Sequence, residues 1–363
     1  MKRNILLLCE TRHVLLNYLI LTTTELKDDN VDIVLTDTTN WGSIQEKLKS
    51  LKIFGAIYCL PLKELNLGVS SWSGDEDSYY RSHLNKLFPG YPRRSYDDVW
   101  FNLPSYSSQL LWGYLLKYGK NEPAIHYIDE GTASYTLKPF ENPLNLDTWL
   151  IRQRYIANIK DIWLLNASFW SGSGRIPLKI EQLNTDVIFD KSFIRILETI
   201  FVLSPPPRTK YVFFEECYIR NRHTVNDLEV LESIASIVGK ENITVRLHPK
   251  TTMDRFTPHG FNVAKNDGSL WELTCLLSNL ADNIFLTVKS SAVFSALSMS
   301  HFPPKIILFK DIVQGCFPNK SANDFEDYIK TVGRAVGQNS AKLFVPQTRE
   351  ELDIILNEMQ RGQ

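Results

Sequence analysis

Apolar, β-prone runs alternate with helix-length segments along most of this chain, and no other feature restricts its fold as strongly. The first half begins with the strand-like run NILLLCE, followed by TRHVLLNYLILTTTEL with apolar residues at helical spacing. The alternation continues through VDIVLTD, WGSIQEKLKSL, FGAIYCLPL, DVWFNLPS, SSQLLWGYLLKYG and PAIHYID. Strands separated by helix-length segments predict βαβ units and a mostly parallel sheet.

A proline-rich run divides this alternation in two. Residues 150–204 are less regular, and we interpret DIWLLNAS and VIFD as short strands. The run LSPPPRTK that follows contains three consecutive prolines, which cannot continue a helix or a central strand. A second alternation comes after it: YVFFEE, VNDLEVLESIASIVG, ITVRLHPK, SLWELTCLLSNL, NIFLTV, SSAVFSALSM, KIILF and TREELDIILNEMQ. Gly239 stands where a glycine is expected to end a helix.

The length of 363 residues favours two domains over one hydrophobic core. We therefore expect an α/β protein with two Rossmann-like αβα domains, over residues 1–204 and 205–345, facing each other across a cleft. A C-terminal helix is expected over residues 346–363, with packing on the N-terminal domain as one option. Ligands of such sheets bind outside the carboxyl ends of the strands.

The composition restricts the class of function. A net charge of -1 gives no support for a nucleic-acid binder, which needs clustered Lys and Arg. Five scattered cysteines without CxxC spacing indicate reduced thiols, not a disulfide framework or a zinc site. No apolar run approaches the ~20 residues of a membrane-spanning helix. We expect a soluble cytoplasmic protein, with peripheral attachment to the inner membrane as an alternative; the oligomeric state stays open.

Two adjacent acids end one of the strand-like runs. In HYIDEGTASY, Asp129 and Glu130 precede Gly131, which allows the backbone to turn sharply. Adjacent like charges are unfavourable unless one is hydrogen-bonded, solvated or used, and the less solvated carboxyl should have a raised pKa. Such a carboxylate could remove a proton from an attacking hydroxyl. Side chains alternate along a strand, so only one of the two acids should face a ligand, and the sequence leaves the choice open.

Two polar stretches in the second half also follow strand-like runs. His248 comes after ITVRL, and Pro249 ends the strand pairing. An imidazolium at this position could stabilise a leaving phosphate or protonate it. Lys289, Ser290 and Ser291 lie between a strand and a helix, where hydroxyl and backbone N–H groups form an anion site.

Each of these stretches has an ordinary structural explanation as well. Ser269 and Glu272 have the spacing of a capping box, which would account for Glu272 without any ligand. An Asp-Glu-Gly triplet is usually a solvated turn, and paired serines often cap a helix. The order and context of all four stretches favour a functional site over four unrelated structural features.

The three motifs Asp129-Glu130-Gly131, His248-Pro249 and Ser290-Ser291 resemble the signature of bacterial sialyltransferases with a GT-B fold. The resemblance is to the lipooligosaccharide sialyltransferases (glycosyltransferase family 52) and their polysialyltransferase relatives. The run VWFNLPSYSSQLLWGYLLK also looks like the lead-in of that family to its acidic motif. One departure is Lys250, since relatives commonly have His-Pro-Arg.

The resemblance implies a donor, an acceptor and a role for each motif. The donor would be CMP-sialic acid, and the acceptor a hydroxyl of a capsular-polysaccharide or lipooligosaccharide glycan. Asp129 or Glu130 would be the general base, and His248 would assist departure of CMP. The substrate-binding residues would be Gly131, Pro249, Lys250, Glu272, Ser290 and Ser291, with Glu272 on the ribose and the serines on the phosphate. The reaction would invert the anomeric centre and need no metal or other cofactor.

Alternative interpretations remain at this stage. The same architecture could use another nucleotide sugar such as CMP-Kdo, or the chain could be a catalytically silent glycan-binding or assembly protein. Asp75 and Asp77 in GDED form a DxD pair, but they do not follow an apolar strand as a metal–nucleotide motif should. His13 could line the acceptor side, although capping or packing explains it equally well. There is no Walker, HExxH or GxSxG motif.

Overall fold

The computed structural model of this protein divides into two compact units, Met1–Phe201 and Val202–Gln363. It describes residues 2–62, 84–88, 95–102, 105–136, 154–172, 178–216, 225–264, 268–315, 322–337 and 342–361. The DxD pair Asp75 and Asp77, together with Cys217 and Cys316, lies outside these ranges.

The first unit is built on a seven-stranded parallel sheet. Its strands are β1 (Asn4–Cys9), β2 (Asn30–Thr36), β3 (Ile57–Leu60), β4 (Asp98–Phe101), β5 (Ala124–Ile128), β6 (Ile159–Leu164) and β7 (Lys179–Gln182). The helices are α1 (Arg12–Thr23), α2 (Ile44–Leu51), α3 (Asn85–Leu87), α4 (Tyr106–Tyr118), α5 (Thr132–Thr136) and α6 (Lys191–Ile200). The strand order is β3-β2-β1-β4-β5-β6-β7, so the direction of winding reverses between β1 and β4.

The sequence of β1 explains its central place in this sheet. Five of its six residues are buried, because helices cover both faces of a parallel sheet and leave no polar side for alternation. Helix α1 begins after Thr11, whose side chain accepts the N–H of Val14, and buries residues from Val14 to Leu21. The loop that follows β1 therefore connects a buried strand to a capped, buried helix.

The second unit repeats this plan with six parallel strands. They are β8 (Tyr211–Phe214), β9 (Ile243–Arg246), β10 (Asn262–Val263), β11 (Ile284–Thr287), β12 (Lys305–Leu308) and β13 (Leu343–Phe344). The helices are α7 (Asp227–Val238), α8 (Trp271–Leu277), α9 (Ala292–Met299), α10 (Ala322–Gly337) and α11 (Arg349–Arg361). The order β10-β9-β8-β11-β12-β13 is that of a dinucleotide-binding Rossmann sheet, with the reversal between β8 and β11.

The core of the second unit includes the C-terminal helix. Leu352 and Leu356 of α11 are buried in the same cluster as Leu231 and Ile234 of α7. The packing of α11 that the structure describes is therefore within the second unit. Gly239 ends α7 with a φ of 84°, as the glycine predicted.

The predicted α/β class with two Rossmann-like units is confirmed by these two sheets. One strand assignment was wrong: VIFD belongs to a 3-10 segment, Thr185–Phe189, which starts at the side-chain cap of Asn184. Within the described residues, no helix is long and apolar enough to span a membrane. Cys9, Cys59 and Cys275 are free thiols.

Candidate functional site

Several polar residues of the first unit lie at the carboxyl ends of the strands around the reversal point of its sheet. Glu10 follows β1, Asn102 follows β4, and the acidic pair follows β5, so all of them lie at the carboxyl ends of neighbouring strands. Adjacent loops diverge at such a point and leave a crevice that binds ligands in open α/β sheets. The sequence predicted Asp129, Glu130 and Gly131 at the carboxyl end of a strand, but it did not predict Glu10 or Asn102 beside them.

Both carboxylate oxygens of Asp129 accept hydrogen bonds from neighbouring residues. Its side chain is 1% exposed, and its Oδ1 accepts the N–H of Gly131 at 2.6 Å. Its Oδ2 accepts the Leu165 N–H at 3.0 Å and the hydroxyl of Tyr135. Gly131 has a φ of 114°, which a side chain would make unfavourable, so the glycine is required for this turn. Asp129 therefore fixes the turn and has little capacity left for a substrate.

Glu130 has a different environment. Its Oε2 is buried and has no hydrogen-bond partner among the described residues. Burial, reinforced by the negative charge of Glu10, raises the pKa of Glu130 to about 7, while His13 and Asn102 act in the opposite direction. A carboxyl group that titrates near neutrality and has an unused oxygen is suited to accept a proton from a substrate.

Glu10 is bound by the start of α4. Its Oε2 accepts the side-chain N–H of Asn102 at 3.1 Å, and its Oε1 accepts the hydroxyls of Ser105 at 3.2 Å and of Ser107. Ser105 is the N-cap of α4, so the carboxylate also lies near the positive end of the helix dipole. These residues were not predicted from the sequence, although each comes directly after a buried strand or lies at the start of the next helix.

His13 is packed between polar groups of the same region. Its Nε2 lies 3.2 Å from the side-chain nitrogen of Asn17 and 3.8 Å from Oδ1 of Asp129. Asn17 also donates to the carbonyl of Asp129 at 2.9 Å. The capping of α1 is done by Thr11, so capping does not explain His13. The charge of His13 lowers the pKa of Glu130, opposing the effect of burial.

His248 lies in a tight turn at the end of β9. The Thr251 N–H donates to the His248 carbonyl at 2.8 Å, and the Lys250 N–H donates to Nδ1 of the imidazole at 3.1 Å. Because Nδ1 accepts a hydrogen bond, the neutral ring has its proton on Nε2. Pro249 and Lys250 are exposed and His248 is partly exposed, so the turn is accessible from solvent.

Ser290 and Ser291 connect β11 to α9. The Ser290 N–H donates to Oγ1 of Thr287 at 3.0 Å, and the Ser290 hydroxyl weakly accepts the Ala292 N–H at 3.4 Å. Ser291 is the N-cap of α9 but makes no side-chain capping bond, and it is exposed. The N–H of Lys289 donates to Glu216, which follows β8 across the reversal point, at 2.7 Å. This loop therefore presents serine hydroxyl groups at a helix N-terminus.

Glu272 does not belong to a capping box, contrary to the prediction. Helix α8 begins at Trp271 with Leu270 as its N-cap and no side-chain capping bond, while the hydroxyl of Ser269 is hydrogen-bonded to that of Ser204. The indole N–H of Trp271 donates to the carbonyl of Ala292 at 2.9 Å. This bond holds the first turn of α8, and Glu272 with it, beside the start of α9.

Arg246 is a further residue of this region that was not predicted from the sequence. Its guanidinium lies 4.6 Å from the centre of the Trp271 ring. It ends β9 two residues before His248, so it adds a positive charge to the same edge of the sheet. Among the described residues, no group of three or more His, Cys, Asp and Glu could hold a metal ion.

Comparison with known proteins gives similarity of fold only. No family model matches the chain, and neither does any curated protein. The sialyltransferase from Photobacterium damsela is 11% identical, with a TM-score of 0.48 over 95% of this chain and 82% of that one. UGT89C1 from Arabidopsis thaliana, complexed with UDP-L-rhamnose, is 11% identical, with a TM-score of 0.48 over 100% of this chain and 91% of that one. UDP-GlcNAc 2-epimerase from Neisseria meningitidis, bound to UDP-GlcNAc, is 11% identical, with a TM-score of 0.48 over 99% of this chain and 100% of that one. Similarities at this level support no statement about activity.

Proposed function

We propose that this chain is an inverting glycosyltransferase that moves sialic acid from CMP-sialic acid to a hydroxyl group of a capsular-polysaccharide or lipooligosaccharide glycan. The observation that carries the proposal is Glu130, a carboxyl group with a pKa of about 7 and a buried, unpartnered oxygen at the reversal point of a Rossmann sheet. The motif resemblance supports the choice of donor, which the geometry alone does not specify.

Glu130 is the general base in this proposal. Its carboxylate takes the proton of the acceptor hydroxyl while the acceptor oxygen forms a bond to the anomeric carbon of sialic acid. The bond from that carbon to the phosphate oxygen breaks, and its electron pair leaves with CMP. Attack opposite the leaving group inverts the anomeric centre. Asp129 keeps the turn in place, since both of its oxygens are already hydrogen-bonded.

The residues of the second unit hold the nucleotide in this proposal. His248 donates from Nε2 to the departing phosphate, whose charge grows as the bond breaks. Ser290 and Ser291 bind the phosphate with hydroxyl and backbone N–H groups, and Glu272 accepts the ribose hydroxyls. Gly131 serves on the acceptor side, and Pro249 and Lys250 shape the donor side. No metal ion or other cofactor takes part.

A screen of CMP-sialic acid, CMP-Kdo, CMP and UDP-GlcNAc for thermal stabilisation, followed by an assay of CMP release with a glycan acceptor, tests the proposal. We expect CMP-sialic acid to raise Tm and to be consumed. Consumption of CMP-Kdo alone would establish the alternative donor, and binding of CMP without turnover of either donor would establish the silent protein.

Two variants test the role of Glu130. Glu130→Gln should abolish transfer and retain the stabilisation by CMP, because its side chain lies in the first unit. The matched control Glu198→Gln removes an exposed carboxyl from α6 of the same unit and should keep full activity. Full turnover by Glu130→Gln would refute the proposed mechanism.

A further inference from the structure

A buried carboxylate holds the turn that contains His248. Glu215 follows β8 directly and is 3% exposed. Its Oε2 accepts the backbone N–H of His248 at 3.0 Å and the hydroxyl of Thr251 at 2.6 Å. One carboxylate oxygen therefore fastens both ends of the four-residue turn to the sheet.

Arg255 lies beside the carboxylate of Glu215 and pairs with it. Nη2 of Arg255 lies 3.6 Å from Oε1 of Glu215, and the guanidinium binds both oxygens of the fully buried Asp227 at 2.9 and 2.8 Å. Burying charged groups is unfavourable unless they are paired and hydrogen-bonded, as these are. Glu215 thus has a cationic neighbour on one oxygen and accepts two hydrogen bonds from the turn on the other.

The geometry of the turn decides which ring nitrogen of His248 carries the proton. The Lys250 N–H reaches Nδ1 only while the turn is closed, since the same turn sets the position of Lys250 relative to the ring. Pro249, with its fixed φ, restricts the chain between the two residues. An intact turn therefore selects the neutral imidazole with its proton on Nε2.

We infer that Glu215 and Thr251 are positioning residues that hold His248 as a fixed Nε2–H donor for the phosphate of a nucleotide-sugar donor. The identity of the ligand rests on the proposed function, whereas the control of the tautomer does not. Neither residue touches the substrate. Their effect on the reaction passes through the imidazole, whose hydrogen bond to the departing phosphate should strengthen as charge develops.

Heteronuclear NMR of the imidazole nitrogens tests the tautomer in the full chain, with His248 assigned from its absence in His248→Gln. The wild type and Thr251→Ser should show the Nε2–H tautomer alone. Thr251→Val and Glu215→Gln should show a mixture with the Nδ1–H tautomer. The matched control is Thr257→Val, which removes an equivalent hydroxyl bond to Asp254 in a nearby exposed segment and should leave His248 unchanged.

The kinetic part uses the same variants with CMP-sialic acid. From the worth of one hydrogen bond to a charged group, Thr251→Val should lower kcat about tenfold and leave KM for the donor within about twofold. Thr251→Ser should restore kcat. The effects of Thr251→Val and Glu215→Gln on kcat should be less than additive, because both open the same turn.

Several results would overturn the inference. A His248 signal that stays wholly Nε2–H in Thr251→Val would do so, and so would a mixed tautomer with unchanged kcat. If Glu215→Gln does not fold, Thr251→Val and Thr251→Ser decide alone. If the wild type transfers no sialic acid, the proposed function fails, and the NMR measurement still decides whether Glu215 and Thr251 position His248.

Discussion

Replacing Glu130 by Gln should change the pH dependence of stability, not only activity. The folded chain holds the proton of Glu130 with a pKa of about 7 against an ordinary 4.5, mainly because burial disfavours the carboxylate. Between these two values the folded state binds a proton that the unfolded state has released. Stability from this group is therefore greatest below pH 4.5 and falls as the pH rises through about 7.

The size of the effect follows from the two pKa values. The difference between 4.5 and about 7 corresponds to up to about 3 kcal/mol, since one pH unit is worth about 1.4 kcal/mol. Gln has nearly the same shape as Glu and does not titrate. The free energy of unfolding of Glu130→Gln relative to the wild type should therefore increase by up to this amount between acid and weakly alkaline pH.

Urea unfolding between about pH 4 and about pH 9 measures this difference, with Glu198→Gln as the matched control. The control removes an exposed carboxyl and should follow the wild-type curve at every pH. The activity of the wild type should rise with pH through the same region, because the base must be ionised. A stability difference between Glu130→Gln and the wild type that does not vary with pH would refute the reasoning about this site.

The other predictions concern residues that stabilise the fold. Asp129→Asn should lower the free energy of unfolding by about 1–3 kcal/mol in urea titrations, because it weakens three hydrogen bonds to one buried group. Gly131→Ala should cost about 1–2 kcal/mol in the same assay, since the backbone there has a φ of 114°. Burial lowers the pKa of His126, but Asp161 and Asp98 outweigh burial and raise the pKa above 6.5. The stability that protonated His126 contributes is therefore full below pH 6.5 and is lost as the pH rises through the raised pKa. A pH series of His126→Gln should lack that loss.

The strand and helix alternation was predictable because both sheets are parallel and covered on both faces. Their central strands are continuous apolar runs such as ILLLC and YVFF, which a pattern detects without any tertiary information. The edge strands were not predictable in this way. β7 reads KIEQ, and β10 and β13 have two residues each, so their pairing depends on neighbours that the local sequence does not contain.

The choice between the two adjacent acids also depends on tertiary structure. Alternation along a strand predicts that Asp129 and Glu130 point to opposite sides, but it does not say which of them is held by hydrogen bonds. Tyr135 and the Leu165 N–H decide that, and both reach Asp129 through the folding of α5 and of the chain after β6. The unused oxygen of Glu130 is a consequence of which groups are left over.

In both units a glutamate accepts hydrogen bonds near the reversal point of the sheet. Where neighbouring loops diverge, polar groups lose the partners that a continuous sheet would provide. A glutamate within two residues of the end of the first strand of each unit supplies an acceptor there. Glu10 binds Asn102 and the serines that begin α4, and Glu216 binds the N–H of Lys289 after β11. A glutamate shortly after a mostly buried strand is thus a sequence signal for the crevice that does not depend on any catalytic motif.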